Sequence, residues 1–232
     1  MVHYRAVLFD ADGTLLDYDR AENYALLKIF DILKLQCDPN SAINLYRRIN
    51  SDLWREFERG SISTDNLKVE RFRVFLSRSG INASASKLSS TYLELLGEAG
   101  FLIPGAQKVL SKLQDTVHLS LVTNGFSKVQ RSRLKRSGTE GYFSHIVISE
   151  EVGCQKPEPE IFDYTMKLLS PINRNEVLFV GDSLTSDIRG GNHAGVDTCW
   201  YNPKKKERGT EIIPRFEISR LEDVVELAQQ TR

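Results

Sequence analysis

Five short apolar runs, each delivering polar residues at its end, set the tightest limit on how this chain can fold. They are residues 5–9 (Arg-Ala-Val-Leu-Phe), 117–122 (Val-His-Leu-Ser-Leu-Val), 145–148 (His-Ile-Val-Ile), 177–180 (Val-Leu-Phe-Val) and 196–201. Runs that are near-continuous rather than alternating suit strands buried on both faces. Helical stretches near 105–115, 126–137, 158–169 and 185–194 lie between them. Strand alternating with helix predicts an α/β protein built on a parallel sheet with helices on both sides. In such a sheet, ligands bind at the carboxyl ends of the strands. After the first run comes Asp10-Ala11-Asp12-Gly13-Thr14, after the second Thr123-Asn124-Gly125, and after the fourth Gly181-Asp182-Ser183, with Asp187 a little further on.

Residues 19–98 break the rhythm and read as helix throughout. Tyr46, Ile49, Leu53 and Phe57 recur on one helical face, as do Phe72, Phe75 and Leu76, and again Leu88, Tyr92, Leu95 and Leu96. Breaks at Cys37-Asp38-Pro39, Arg59-Gly60-Ser61 and Ser79-Gly80-Ile81-Asn82 divide the segment into about four helices, a small bundle inserted after the first strand. The expected division is therefore a core of residues 1–18 and 99–232 and a helical insert of 19–98.

The carboxylates carry the chemical signal. Asp10, Asp12 and Asp182 would crowd negative charge at one sheet edge unless a cation offset it, and Mg²⁺ is the hard ion that takes carboxylate, carbonyl and phosphate oxygens. With that charge offset, Asp10 becomes available as a nucleophile toward a phosphate ester. Asp12, two residues on, can serve as acid for the leaving alkoxide and then as base for water. Thr123, with the amides of Asn124 and Gly125 at a helix start, and Lys156 before Pro157 supply donors for the phosphoryl oxygens. A calcium loop beginning at Asp10 is excluded, because its twelfth position, which needs a glutamate, is Ala21.

Composition narrows the partners. Lys plus Arg and Asp plus Glu both number 31, so no net charge favours a nucleic-acid polymer or a membrane surface. Lys204, Lys205 and Lys206 read as a solvated loop, and His3, His118, His145 and His193 lack ligand spacing. Cys37, Cys154 and Cys199 are odd in number and widely spaced, the pattern of reduced thiols, and together with the absence of a membrane-length apolar stretch they point to a cytoplasmic protein.

In their order and placement, Asp10-Ala11-Asp12-Gly13-Thr14, Thr123, Lys156 and Gly181-Asp182 with Asp187 resemble the four motifs of the haloacid dehalogenase-like hydrolase superfamily, over essentially the whole chain. The resemblance implies a Rossmann-like parallel-sheet core, with residues 19–98 as an early helical cap that closes over the active site. It implies Asp10 as nucleophile and Asp12 as acid and base, with Mg²⁺ held by Asp10, Asp12 through its backbone carbonyl, and Asp182. Asp187 would support that ion from behind or through water, and Thr123 and Lys156 would hold the phosphoryl group. Trp54 with Gly60-Ser61-Ile62-Ser63, the stretch Thr123-Asn124-Gly125-Phe126, Ile148-Ser149-Glu150-Glu151-Val152-Gly153 and Ile161-Phe162-Asp163-Tyr164 are similar to the YjjG-type pyrimidine 5′-nucleotidases. The implied substrate is a small phosphate monoester, in particular a nucleoside monophosphate. At Cys154 those enzymes have an aliphatic residue, read here as a packing variant. A sugar-phosphate phosphatase or phosphomutase shares every one of these motifs and stays open as an alternative, whereas a dehalogenase would not need Asp12. Within the insert, Trp54 is a candidate to stack a base and Arg71 to reach a ribose or base oxygen. The competing expectation is core packing for Trp54 and a surface ion pair for Arg71.

Overall fold

The computed structural model describes residues 4–32, 34, 38–208 and 211–229; Cys37 and His3 lie outside them. The chain divides into two compact units, residues 1–18 with 100–232, and residues 19–99.

The first unit is a six-stranded sheet, all parallel. Its strands are β1 (Ala6–Phe9), β2 (His118–Thr123), β3 (His145–Ile148), β4 (Val177–Gly181), β5 (Asp197–Tyr201) and β6 (Phe216–Ile218). They lie in the order β3-β2-β1-β4-β5-β6, so the chain reverses its direction of travel across the sheet at β1, with β2 on one side and β4 on the other. Alternate residues of β1 go to opposite faces: Val7 and Phe9 join one buried cluster with Leu119, Leu121, Leu178 and Val180. Ala6 and Leu8 join another with Val122, Val177 and Phe179. Both faces are thus dry, which is why these strands read as continuous apolar runs.

Helices α1 (Tyr18–Ile32), α2 (Pro39–Glu58), α3 (Thr64–Ser79) and α4 (Ala85–Glu98) form the second unit, α1 entering it from Tyr18. Each of α2, α3 and α4 starts at a side-chain cap, from Asp38 to the Ser41 amide, Ser63 to the Asn66 amide and Ser84 to the Lys87 amide. Of the expected breaks, 37–39 contains the first cap, while Ser63 and Ser84 follow the breaks at 59–61 and 79–82 by two residues. The apolar faces meet in an aromatic cluster in which Tyr46 lies 5.1 Å from Phe72 and 5.5 Å from Tyr92, centroid to centroid. Such contacts add about 0.5–1.5 kcal/mol each beyond area burial.

Among the described residues, six more helices belong to the sheet unit: α5 (Ala106–Leu113), α6 (Ser127–Ser137), α7 (Ser149–Val152), α8 (Pro159–Leu168), α9 (Arg189–His193) and α10 (Asp223–Gln229). Strand β6 and helices α7 and α10 go beyond the sequence expectations. Among the described residues, no helix is long and apolar enough to cross a membrane.

Candidate active site

Asp10 follows the last residue of β1, and its amide donates to the Val180 carbonyl of β4 at 2.9 Å, so the central strand pair fixes its backbone. Lys156 reaches it from the loop after α7. The buried ammonium donates to Asp10 Oδ1 at 2.6 Å, Asp187 Oδ1 at 2.7 Å and the Val122 carbonyl at 2.9 Å, which uses all three of its protons. Asn124 holds that loop in place by a reciprocal pair, its Nδ2 donating to the Lys156 carbonyl at 2.7 Å and its Oδ1 accepting from the Lys156 amide at 2.8 Å. The Asn124 side chain therefore ties the end of β2 to the lysine.

Asp182 stands just past β4. Its carbonyl accepts from Trp200 Nε1 at 2.9 Å, which locks the loop to β5. Carboxylate oxygens of Asp10, Asp182 and Asp187 all lie within 4.8 Å of one another. Asp187 thus has a carboxylate oxygen in the cluster and is bonded to Lys156. Gly13 makes room for this arrangement: its φ is +86°, and a Cβ there would come within 2.6 Å of Asp182 Oδ2.

Burial and crowding show in the titration of these groups. Burial pushes the Asp10 carboxyl well above the ordinary carboxylate range, with Asp187 and Asp182 adding to the rise and Lys156 opposing it. Burial, then Asp187, pushes Asp182 up to about 7. Burial works against charge on Lys156, yet Asp10 and Asp187 hold it above the usual lysine range. Lys156 is bonded to two of the three carboxyls and Lys206 also draws on Asp182, yet the crowding of three carboxyls remains, and their oxygen donors suit a hard divalent cation.

Asp12 is set apart from this cluster. Its carboxylate accepts from Gln130 Nε2 at 2.8 Å and forms an ion pair with Arg133, both on α6. The same Gln130 Nε2 donates to Thr123 Oγ1 at 3.0 Å. Gln130 and Arg133 were not legible in the sequence. The segment Ser-Lys-Val-Gln-Arg-Ser-Arg-Leu-Lys-Arg-Ser is polar at nearly every position, and nothing in it marks which polar residues face inward. Gly125 explains itself here, because a Cβ on it would lie 2.7 Å from Gln130 Nε2.

In the helical unit, Trp54 is half-buried on α2 with its ring edge-on to Phe57. Arg71 is fully buried: its guanidinium lies 4.7 Å from the Tyr92 ring centre and donates to Asn50 Oδ1 at 3.4 Å. This corrects the expectation of a surface ion pair for Arg71, which is enclosed by aromatic rings in the interior of the bundle.

Residues 4–195 match the model of the haloacid dehalogenase-like hydrolases. The chain belongs to that family. It is 41% identical to the HAD-hydrolase YfnB of Bacillus subtilis, over 97% of this chain and 95% of that one. The crystal structure of YfnB bound to magnesium superposes with a TM-score of 0.92, covering 98% of this chain and all of that one. The pyrimidine 5′-nucleotidase PynA of Streptococcus pneumoniae is 35% identical over 96% of this chain and 94% of its own. For the pyrimidine 5′-nucleotidase YjjG of Escherichia coli, the identity is 33% over 95% and 96%.

Proposed function

We propose that this enzyme is a magnesium-dependent phosphatase that hydrolyses pyrimidine nucleoside 5′-monophosphates through a phosphoryl group carried on Asp10. The observation that carries the reading is the buried Lys156 bonded to both Asp10 and Asp187, beside Asp182, at the carboxyl edge of the central strands. Among the residues holding the ion we place Asp10, Asp182 and the backbone carbonyl of Asp12, with Asp187 beside them. When bound, Mg²⁺ offsets the phosphate's charge and polarises its oxygens.

In the first step, an Asp10 carboxylate oxygen forms a bond to phosphorus as the ester P–O bond breaks, and Asp12 gives its proton to the departing nucleoside oxygen. In the second, Asp12 takes a proton from water, the water oxygen bonds to phosphorus, and the Asp10–phosphoryl bond breaks to release inorganic phosphate. Lys156, Thr123 and the amides of Asn124 and Gly125 hold the phosphoryl oxygens, work that is mostly positioning and charge stabilisation.

Two relatives named as pyrimidine 5′-nucleotidases support the substrate, and Trp54 is our candidate to stack the base. Cys154 and Cys199 are free thiols, which suits a cytoplasmic enzyme. The test is kcat/KM for dUMP, a purine monophosphate and a hexose phosphate with Mg²⁺ present. We expect dUMP to lead by a modest margin, of the order of a few kcal/mol at most. A hexose phosphate ahead of dUMP would end the nucleotidase reading and leave the phosphatase reading standing.

A further inference from the structure

We infer that Gln130 and Arg133 are positioning residues for the leaving-group proton: together they fix the Asp12 carboxylate in the conformation from which it serves the substrate. The inference rests on the reading of Asp12 as acid and base, and it concerns residues that no motif of the chain singles out.

Asp12 sits in the turn after β1 and its side chain keeps 30% of its surface exposed, whereas Arg133 is 0% exposed. A carboxylate on an exposed turn has several rotamers of similar energy, and transfer to a leaving oxygen needs one of them, within about 3 Å of that oxygen. Two donors from α6 select it. Arg133 pairs with Asp12 Oδ1, and Gln130 Nε2 donates to Asp12 Oδ2 at 2.8 Å, so both oxygens are engaged from one side. Gln130 is fixed in turn, because its Oε1 accepts from Arg133 Nη1 at 3.2 Å and its Nε2 also donates to Thr123 Oγ1 at 3.0 Å. One amide thus links the acid to the threonine that holds the phosphoryl group. Gly125 leaves the space that the amide occupies.

Burying an arginine and a glutamine under a polar surface helix is costly unless their donors are used. Neither is required by the sheet's apolar cores, which α6 already reaches through Leu134. Among the groups the pair reaches are Asp12 and Thr123, and the Arg133 guanidinium also lies 6.0 Å from the Tyr18 ring centre. The spacing of three residues places both side chains on the same face of α6.

The consequence is a selective defect. A nucleoside oxygen is a poor leaving group and needs a proton, whereas 4-nitrophenolate leaves without one. For a two-step enzyme, kcat/KM reports the steps through leaving-group departure, so the later hydrolysis of the phosphoryl-enzyme does not enter it. Purified Asp12→Asn, Arg133→Met, Arg133→Lys and Gln130→Leu would be compared with the parent on dUMP and 4-nitrophenyl phosphate at saturating Mg²⁺. Acid catalysis contributes roughly 10²–10⁴, so Asp12→Asn should lower kcat/KM for dUMP at least tenfold more than for the aryl ester. Arg133→Met should show the same selectivity, Arg133→Lys should recover part of it, and Gln130→Leu should show it to a smaller degree. The ratio of the two substrates within one preparation is insensitive to the fraction folded. If Arg133→Met does not fold, Gln130→Leu and Arg133→Lys decide by the same ratio. Equal losses on both substrates in the α6 variants, with Asp12→Asn selective, would overturn the positioning role alone. Equal losses in Asp12→Asn as well would overturn the acid assignment on which it stands.

Discussion

Replacing Lys156 by Met removes the cation bonded to both Asp10 and Asp187, beside Asp182, while nearly conserving side-chain volume. In the parent its ammonium lies 2.6 Å from one carboxylate and 2.7 Å from another, with the Val122 carbonyl as third partner. Removing one member of a buried ion pair costs about 3–5 kcal/mol, because the partner's charge is left uncompensated. A repulsive pair of carboxylates at about 4.8 Å adds roughly 3 kcal/mol at an effective dielectric constant of 20, though a carboxyl can escape this by binding a proton. The net expectation without metal is therefore about 3–5 kcal/mol, or a fall in Tm of roughly 10 °C for a chain of this length. Mg²⁺ should return part of that loss, since it supplies the missing positive charge, and it should stabilise the variant more than the parent. The assay is thermal unfolding of both proteins in chelator and in Mg²⁺, followed by near-ultraviolet dichroism. A variant within 1 °C of the parent in chelator would refute the claim that Lys156 holds this cluster together.

Asp10→Asn should fold normally and lose at least ~10³ in kcat, about 4 kcal/mol of barrier; activity within tenfold of the parent would remove Asp10 from the chemistry. Gly125→Ala should cut kcat/KM for dUMP by roughly tenfold or more and lower Tm, because the added methyl would lie 2.4 Å from Gln130 Cγ and must displace that buried, hydrogen-bonded side chain. A carboxyl whose folded-state pKa exceeds its unfolded one stabilises the fold while protonated, and that contribution goes as pH rises through the folded value. With Asp182 pushed up to about 7, the metal-free protein should lose stability between about pH 4 and 7, and Mg²⁺ should flatten that slope in urea titrations. Arg71→Ala should lower Tm and leave the ranking of nucleotides unchanged, since the side chain is packed against Tyr92 in the bundle interior.

The strands that bear the site were legible because a strand buried on both faces must be apolar at every position, so Asp10 and Asp182 stand out at the ends of such runs. The helices of residues 19–99 announced themselves through the breaks between them and through apolar stripes such as Tyr46, Ile49, Leu53 and Phe57 on one face of α2. Strand β6 escaped notice because its three residues follow a polar segment, too short for a periodicity. Lys156 was read as a cation for phosphate, but its bonds to two carboxylates depend on strand order, which places β1 between β2 and β4. Gln130, Arg133 and Arg71 share one reason for being missed or misread. A charged or amide side chain in a polar helix carries no mark of facing inward until its partners, Asp12, Thr123 and Tyr92, are brought to it by the fold.

The measurement that bears most directly on the proposed mechanism is the stereochemical course at phosphorus, followed with an isotopically chiral thiophosphate ester of deoxyuridine. Attack by Asp10 and then by water makes two in-line displacements, each inverting the centre, so the account predicts net retention. Net inversion would mean that water attacks the ester directly, and it would contradict a phosphoryl group carried on Asp10.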